Sequence, residues 1–168
     1  MKKYHLTIKS FIPARIDEVW DMAASPKQLV ALTPKLYGLF LKENSKVYEG
    51  GTIHMGLGIE GFLYQYDWIA RIEKVRDHGS SRCFVDVQES GPFSYWRHEH
   101  IFEERGGGVM VEDKITYSLP MGFIKSAHPV LNLWVKPSLT FLFRERQRRM
   151  RKILDRRKLG WKESYSNV

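Results

Sequence analysis

A chain of 168 residues suits one domain with a single sizeable core, and 43% hydrophobic with 13% aromatic residues excludes a disordered polymer. No run reaches the roughly 20 apolar residues that cross a bilayer, and the opening MKKYHLTIKSF lacks the apolar centre of a secretory leader, so a cytoplasmic protein is expected. The net charge of +8 is concentrated: nine basic residues between Arg144 and Lys158 stand against Glu145 and Asp155. Cys83 is the only cysteine, which excludes an internal disulfide and a multi-thiolate zinc site and reads as a small core hydrophobe.

Residues 4–11 alternate as a strand, and after Pro13 the positions Ile16, Val19, Trp20 and Ala23 are spaced for one helix face. Ser25 followed by Pro26 starts a second short helix, a good N-cap with proline at the first helical position, ending near Thr33-Pro34. Strand patterns then follow at about 37–48, 52–59, 63–75, 82–89, 94–104 and 109–118, separated by glycine and proline signals. Gly56, Gly58 and Gly61 are followed by a strand pattern rather than a helix, so a phosphate-binding loop is excluded and pocket-mouth glycines are expected.

After Pro120 a connector with a short helix following Pro129 leads to a final helix from about Pro137. There Leu139, Leu142, Phe143, Met150, Ile153 and Leu154 form an apolar stripe that Arg146 interrupts. Such a stripe must bury against something, and a sheet is the large surface available. One strand, two short helices, six further antiparallel strands and a long helix give an α+β fold. A curved seven-stranded sheet grips the C-terminal helix, with one domain over residues 1–158 and a tail at 159–168.

The chemistry concentrates on the last hairpin. Trp96, His98, His100 and Phe102 share one strand face, and Val109, Val111, Asp113, Ile115 and Tyr117 share the facing one. A turn centred on Gly106-Gly107 sets His100 opposite Asp113, His98 opposite Ile115 and Trp96 opposite Tyr117. A histidine facing a carboxylate in an apolar wall fits three uses. It is a satisfied core pair, a ligand-contacting pair, or a base (His100) whose tautomer Asp113 fixes, with His98 or Tyr117 as donor to an enolate. His98, His100 and Asp113 also match a two-histidine, one-carboxylate metal set. The long terminal helix argues against the cupin architecture that shares the spacing, so no metal and no cofactor are expected.

The residues Phe84, Asp86 and Gln88, then Gly91-Pro92-Phe93, Trp96, His98, His100 and Phe102, then Asp113, Tyr117, Pro120 and Gly122, carry a resemblance, as does the closing LTFLFRERQRRMRKIL. The chain resembles the START-related helix-grip superfamily (SRPBCC), and within it the small bacterial, polyketide cyclase-like, ligand-binding branch. The resemblance implies a cavity between sheet and helix for an apolar or amphipathic molecule. It implies a polar lining from Asp86, Gln88, His98, His100 and Asp113, with Trp68, Trp96, Tyr117 and Phe143 as apolar walls. It carries no defined reaction, and many relatives lack an assigned activity.

The expected function is binding of a small hydrophobic or aromatic, lipid- or polyketide-like molecule. The alternatives are a cyclase or dehydratase using His100 and Asp113, or a carrier docking on an anionic membrane through the basic helix. The loop around Gly91-Pro92 can change the register by one, which leaves open which face of 82–89 looks inward. Nucleic acid is not the expected partner, because no aromatic residues interleave the basic ones in single-strand-binding fashion.

Overall fold

The computed structural model describes residues 2–43, 46–58, 65–120 and 128–165, with side chains described for all of these except 65, 128 and 156–165. The loop containing Gly61 and the connector containing Gly122 lie outside the described residues. The chain runs β1 (Tyr4–Ile12), α1 (Ile16–Ala23), α2 (Pro26–Leu32), one 3-10 turn (Lys35–Tyr37), β2 (Leu39–Leu41), β3 (Thr52–Gly58) and β4 (Gln65–Asp77). It continues with β5 (Ser81–Ser90), β6 (Tyr95–Arg105), β7 (Gly108–Ser118) and α3 (His128–Tyr165). The strands form one antiparallel sheet in the order β1-β7-β6-β5-β4-β3-β2, so β2 to β7 is a meander that β1 closes at β7.

Local chemistry explains the starts. The Ser25 hydroxyl accepts from the Gln28 backbone N–H at 3.4 Å with Pro26 at the first helical position, and the Arg15 backbone N–H donates to Glu18 Oε2 at 3.1 Å. Between β6 and β7, Gly106 and Gly107 take φ of 53° and 83°, the two left-handed residues that a tight hairpin needs, and Arg105 pairs with Gly108.

Two elements depart from expectation. The strand expected at 37–48 shrinks to Leu39–Leu41, because residues 35–37 form a 3-10 turn and Gly38 (φ 56°) takes a left-handed conformation. A Cβ on Gly38 would collide with the Gly58 carbonyl oxygen. Gly38→Ala is therefore expected to destabilise the β2–β3 hairpin by about 1–3 kcal/mol through strain and clash together, read as a lowered urea midpoint.

The final helix begins at His128 rather than near Pro137, and the expected tail from 159 is helical backbone as far as Tyr165. Pro137 sits inside it. A proline reads in sequence as a boundary because it cannot bond the carbonyl four residues back. Here that carbonyl belongs to Leu133, which is 70% exposed, so water can take the bond.

The α3 stripe meets the sheet as its spacing requires, burying Leu139, Leu142, Phe143, Met150 and Leu154, each worth about 1.5–3 kcal/mol relative to exposure. Two apolar clusters result, one around Ile12, Val19, Ile72, Phe84 and Phe102, the other around Trp96, Ile115, Tyr117, Leu119 and Phe143. Trp68 packs against both. No described helix is long and apolar enough to cross a membrane.

Candidate functional site

A polar box occupies the seam between the two apolar clusters. Alternation along β6 turns Trp96, His98, His100 and Phe102 to the inner face. The strand registers put His100 opposite Asp113 on β7 and Asp86 on β5 opposite His98. The open question for 82–89 resolves with Asp86 inward, in the same lining as Phe84.

The shortest bonds run along the diagonals. His98 Nε2 lies 2.9 Å from Asp113 Oδ1, and His100 Nε2 lies 2.9 Å from Asp86 Oδ2. Directly opposite partners are farther apart, with His100 Nδ1 3.4 Å from Asp113 Oδ1 and His98 Nδ1 3.5 Å from Asp86 Oδ2. Thus the His100–Asp113 pair expected from the sequence is an ion-pair contact, and each imidazole spans both carboxylates. The two rings lie 3.6 Å apart between centroids, with Phe84 stacked 3.9 Å from His100 and Phe143 edge-on to His98 at 4.8 Å.

The outer oxygens are held as well. Gln147 Nε2 on α3 donates to Asp113 Oδ2 at 2.6 Å, and Trp96 Nε1 donates to Asp86 Oδ1 at 3.2 Å. Burial by itself would raise both carboxyl groups. Hydrogen bonds from the histidines outweigh it, hold Asp113 well below the usual carboxylate range, and keep Asp86 below its ordinary value. The histidines diverge. Burial and the neighbouring His100 push His98 down, whereas at His100 the contacts with the Asp113 and Asp86 carboxylates outweigh burial and push it up.

Sequence reasoning missed two residues from α3. Arg146, the interruption in the apolar stripe, turns inward: its Nε donates to Thr33 Oγ1 at 3.0 Å, and its guanidinium sits 5.1 Å from the Phe143 ring centre. Burial pulls it down to about 10 while Asp113 and Asp86 oppose the shift, so it stays charged at neutral pH. Gln147, the second, gave no signal, because a glutamine beside a charged helix face is ordinary.

These groups face two neighbouring spaces that share part of their lining. An inner chamber of about 50 Å³ is lined by Asp86, His98, His100, Trp96, Phe84 and Phe143 among others. A wider mouth of about 370 Å³ is lined by Tyr37, Phe93, Trp134 and Leu139 among others. The two share Leu39, Trp68, Leu142 and Arg146. The indole N–H of Trp68 is buried without a hydrogen-bond partner among the described residues.

Of the residues that the resemblance placed in the lining, Asp113 stands behind the histidines rather than on the chamber, and two others lie elsewhere. Gln88 is clamped to the loop after β5, its Nε2 donating to the Phe93 carbonyl at 2.6 Å and its Oε1 accepting from Phe93 N–H at 3.4 Å. Tyr117 is fully buried in the second apolar cluster and donates to Asn132 Oδ1 at 2.6 Å, with burial pushing its hydroxyl up to about 12. The basic helix face is also thinner than its count suggested: besides Arg146, both Arg148 (2.7 Å) and Arg149 (2.9 Å) pair with Glu145.

No family profile matches the chain, and no curated protein is significantly similar to it. Solved structures do match over nearly its whole length. TTHA0849 from Thermus thermophilus aligns with a TM-score of 0.64 at 17% identity, covering 89% of this chain and 95% of its own. NE0264 from Nitrosomonas europaea aligns at 0.66 and 10% identity, covering 92% and 96%. Norcoclaurine synthase from Thalictrum flavum, solved with dopamine and hydroxybenzaldehyde, aligns at 0.59 and 14% identity, covering 90% and 86%. At these identities the likeness is one of fold alone, an antiparallel sheet gripping a long C-terminal helix, the helix-grip fold.

Proposed function

We propose that the chain binds a small apolar or aromatic molecule carrying a carbonyl-type acceptor, its body in the mouth and its polar end toward the inner chamber. The observation that carries this reading is the shared wall. Trp68, whose N–H is buried and unbonded among the described residues, and the charged Arg146 both line an otherwise largely apolar mouth and chamber. A buried donor without a partner costs about 1–3 kcal/mol, and an acceptor on a ligand would recover it. The mouth also falls within the roughly 300–1,000 Å³ typical of small-molecule sites. A neighbour of the same fold, norcoclaurine synthase, holds aromatic molecules, one of them an aldehyde.

The test is a titration with a neutral naphthylamine dye displaced by an aromatic ketone. The wild-type chain should bind one dye, and Phe143→Trp and Ala23→Leu, which fill the inner chamber, should each weaken displacement by the ketone by about tenfold, the worth of roughly one filled contact. Unchanged displacement in both folded variants would remove the chamber from the binding site.

One observation favours a second reading, proton transfer. His100, held between two carboxylates that push it up, faces the same chamber as the Arg146 donor, a proton carrier and an oxyanion partner for chemistry beside a carbonyl. If an aromatic carbonyl compound turns over, His100→Gln should cut kcat by about a hundredfold or more with little change in binding.

A further inference from the structure

We infer that Asp86, His98 and His100 form a site for one divalent transition-metal ion of the zinc or ferrous class at the inner end of the chamber. One donor atom from each of the three lies within 4.8 Å of the other two. The two contacts to Asp86 Oδ2 are 2.9 Å from His100 Nε2 and 3.5 Å from His98 Nδ1. A tetrahedral ion with ligands at about 2.0–2.1 Å holds them about 3.3 Å apart, a spacing the two distances bracket. Small side-chain rotations would seat the ion without moving a strand.

The outer contacts fit a metal site better than a mere core pair. A ligating histidine ordinarily gives its second ring nitrogen to a carboxylate, which fixes its orientation. Here both imidazoles turn their remaining nitrogen toward one oxygen of Asp113, at 2.9 Å and 3.4 Å, and Gln147 fixes the other oxygen at 2.6 Å. The long helix that argued against a metal by analogy with cupins therefore supplies the residue that steadies the outer carboxylate. All three inner ligands sit on neighbouring strands, β5 and β6, which hold geometry better than loops.

Charge and space agree. Two carboxylates, Asp86 and Asp113, face one cation, Arg146, so a dication meets a site of net negative charge, and a set of two imidazoles and one carboxylate without thiolate suits zinc or ferrous ion rather than calcium or cuprous ion. The chamber, at about 50 Å³, exceeds the roughly 10–15 Å³ that one water needs, leaving room for solvent or a ligand oxygen on the ion. The inference shares the chamber of the proposed binding function and competes with the proton-transfer reading, since the His100 nitrogen that faces Asp86 would hold the ion.

The test uses the full chain stripped of metal by a chelator and titrated with cobalt(II), followed by its visible absorption, then with zinc in competition. One equivalent should give the intense bands of a four- or five-coordinate site. His98→Ala and Asp86→Ala should each abolish them, and Asp113→Asn should weaken zinc binding by about 10–100-fold. Exposed His5→Ala should change nothing. Asp86→Asn and His100→Gln, checked by circular dichroism, cover the case in which an alanine variant does not fold. Absence of the cobalt bands in the folded wild type, or bands that survive in folded Asp86→Asn and His100→Gln, would overturn the inference. Dye binding on the same samples separates the readings: dye without metal removes only the ion, and metal without dye removes the apolar ligand.

Discussion

Asp113→Leu is expected to cost the folded state about 3–5 kcal/mol, the largest stability loss of any single change in the polar box. The carboxylate is the hub of that box. It accepts from His98 at 2.9 Å and Gln147 at 2.6 Å, lies 3.4 Å from His100, and its side chain is only 8% exposed. Leucine would fill a similar volume but strand two imidazoles and an amide, each at about 1–3 kcal/mol if left unbonded in the interior. Asp113→Asn separates charge from hydrogen bonding. Its amide oxygen can still accept from His98, and Gln147 can turn its own oxygen to meet the new N–H₂. A loss of about 1–2 kcal/mol is expected there, with most of the cooperative transition kept. Urea denaturation followed by tryptophan fluorescence measures both. Equal losses in the two variants would mean that the hydrogen bonds Asp113 accepts do not hold the box together, and the box would be ordinary packing.

The hairpin that carries the box was legible because two glycines fix the turn and a period-two face fixes the rest. His100 opposite Asp113, His98 opposite Ile115 and Trp96 opposite Tyr117 are all found as the spacing requires. What the register could not give is which neighbour each ring bonds. Opposite positions set Cα distances, but an imidazole has two nitrogens and can reach a diagonal acceptor, so the crossed pattern with Asp86 depends on side-chain rotation rather than on sequence spacing. Asp86 itself is ambiguous in sequence because the loop around Gly91-Pro92 can change the register by one, and one residue flips every side chain to the other face. The resemblance implies Gln88 in the lining, while its place at the strand end fits hydrogen bonding to the Gly91-Pro92 loop instead. The chain bends into the loop at Gly91-Pro92 just beyond it, and there the side chain closes on Phe93. In α3 the stripe was correct and its interruption was the message: a charge on the buried face must have a reason, and Arg146 lines the chamber.

That guanidinium carries the second large effect. Arg146→Leu should reduce the affinity for an aromatic ketone such as acetophenone by about 10–100-fold, because a charge-assisted hydrogen bond contributes about 1.5–3 kcal/mol. The affinity for ethylbenzene, similar in shape but without the acceptor, should stay level or rise. The difference between the two probes is the informative quantity. Arg146 lines the inner chamber, the mouth and the small void behind His100, so its loss changes shape as well as charge, and shape affects both probes alike. Only the ketone can use the donors. The terminal nitrogens of Arg146 make no hydrogen bond or ion pair among the described residues, while its Nε is held by Thr33 at 3.0 Å. Little else depends on that contact, since the Thr33 hydroxyl also donates to the Leu29 carbonyl at 2.7 Å and keeps that bond in the variant. Arg146→Lys should fall between, keeping the charge but losing the planar fork that can meet an oxygen with two N–H groups. If both probes weaken equally, Arg146 shapes the chamber and does not read the ligand. If the ketone is unaffected, the acceptor meets Trp68 alone, and the polar end of the ligand sits in the mouth rather than at the histidines.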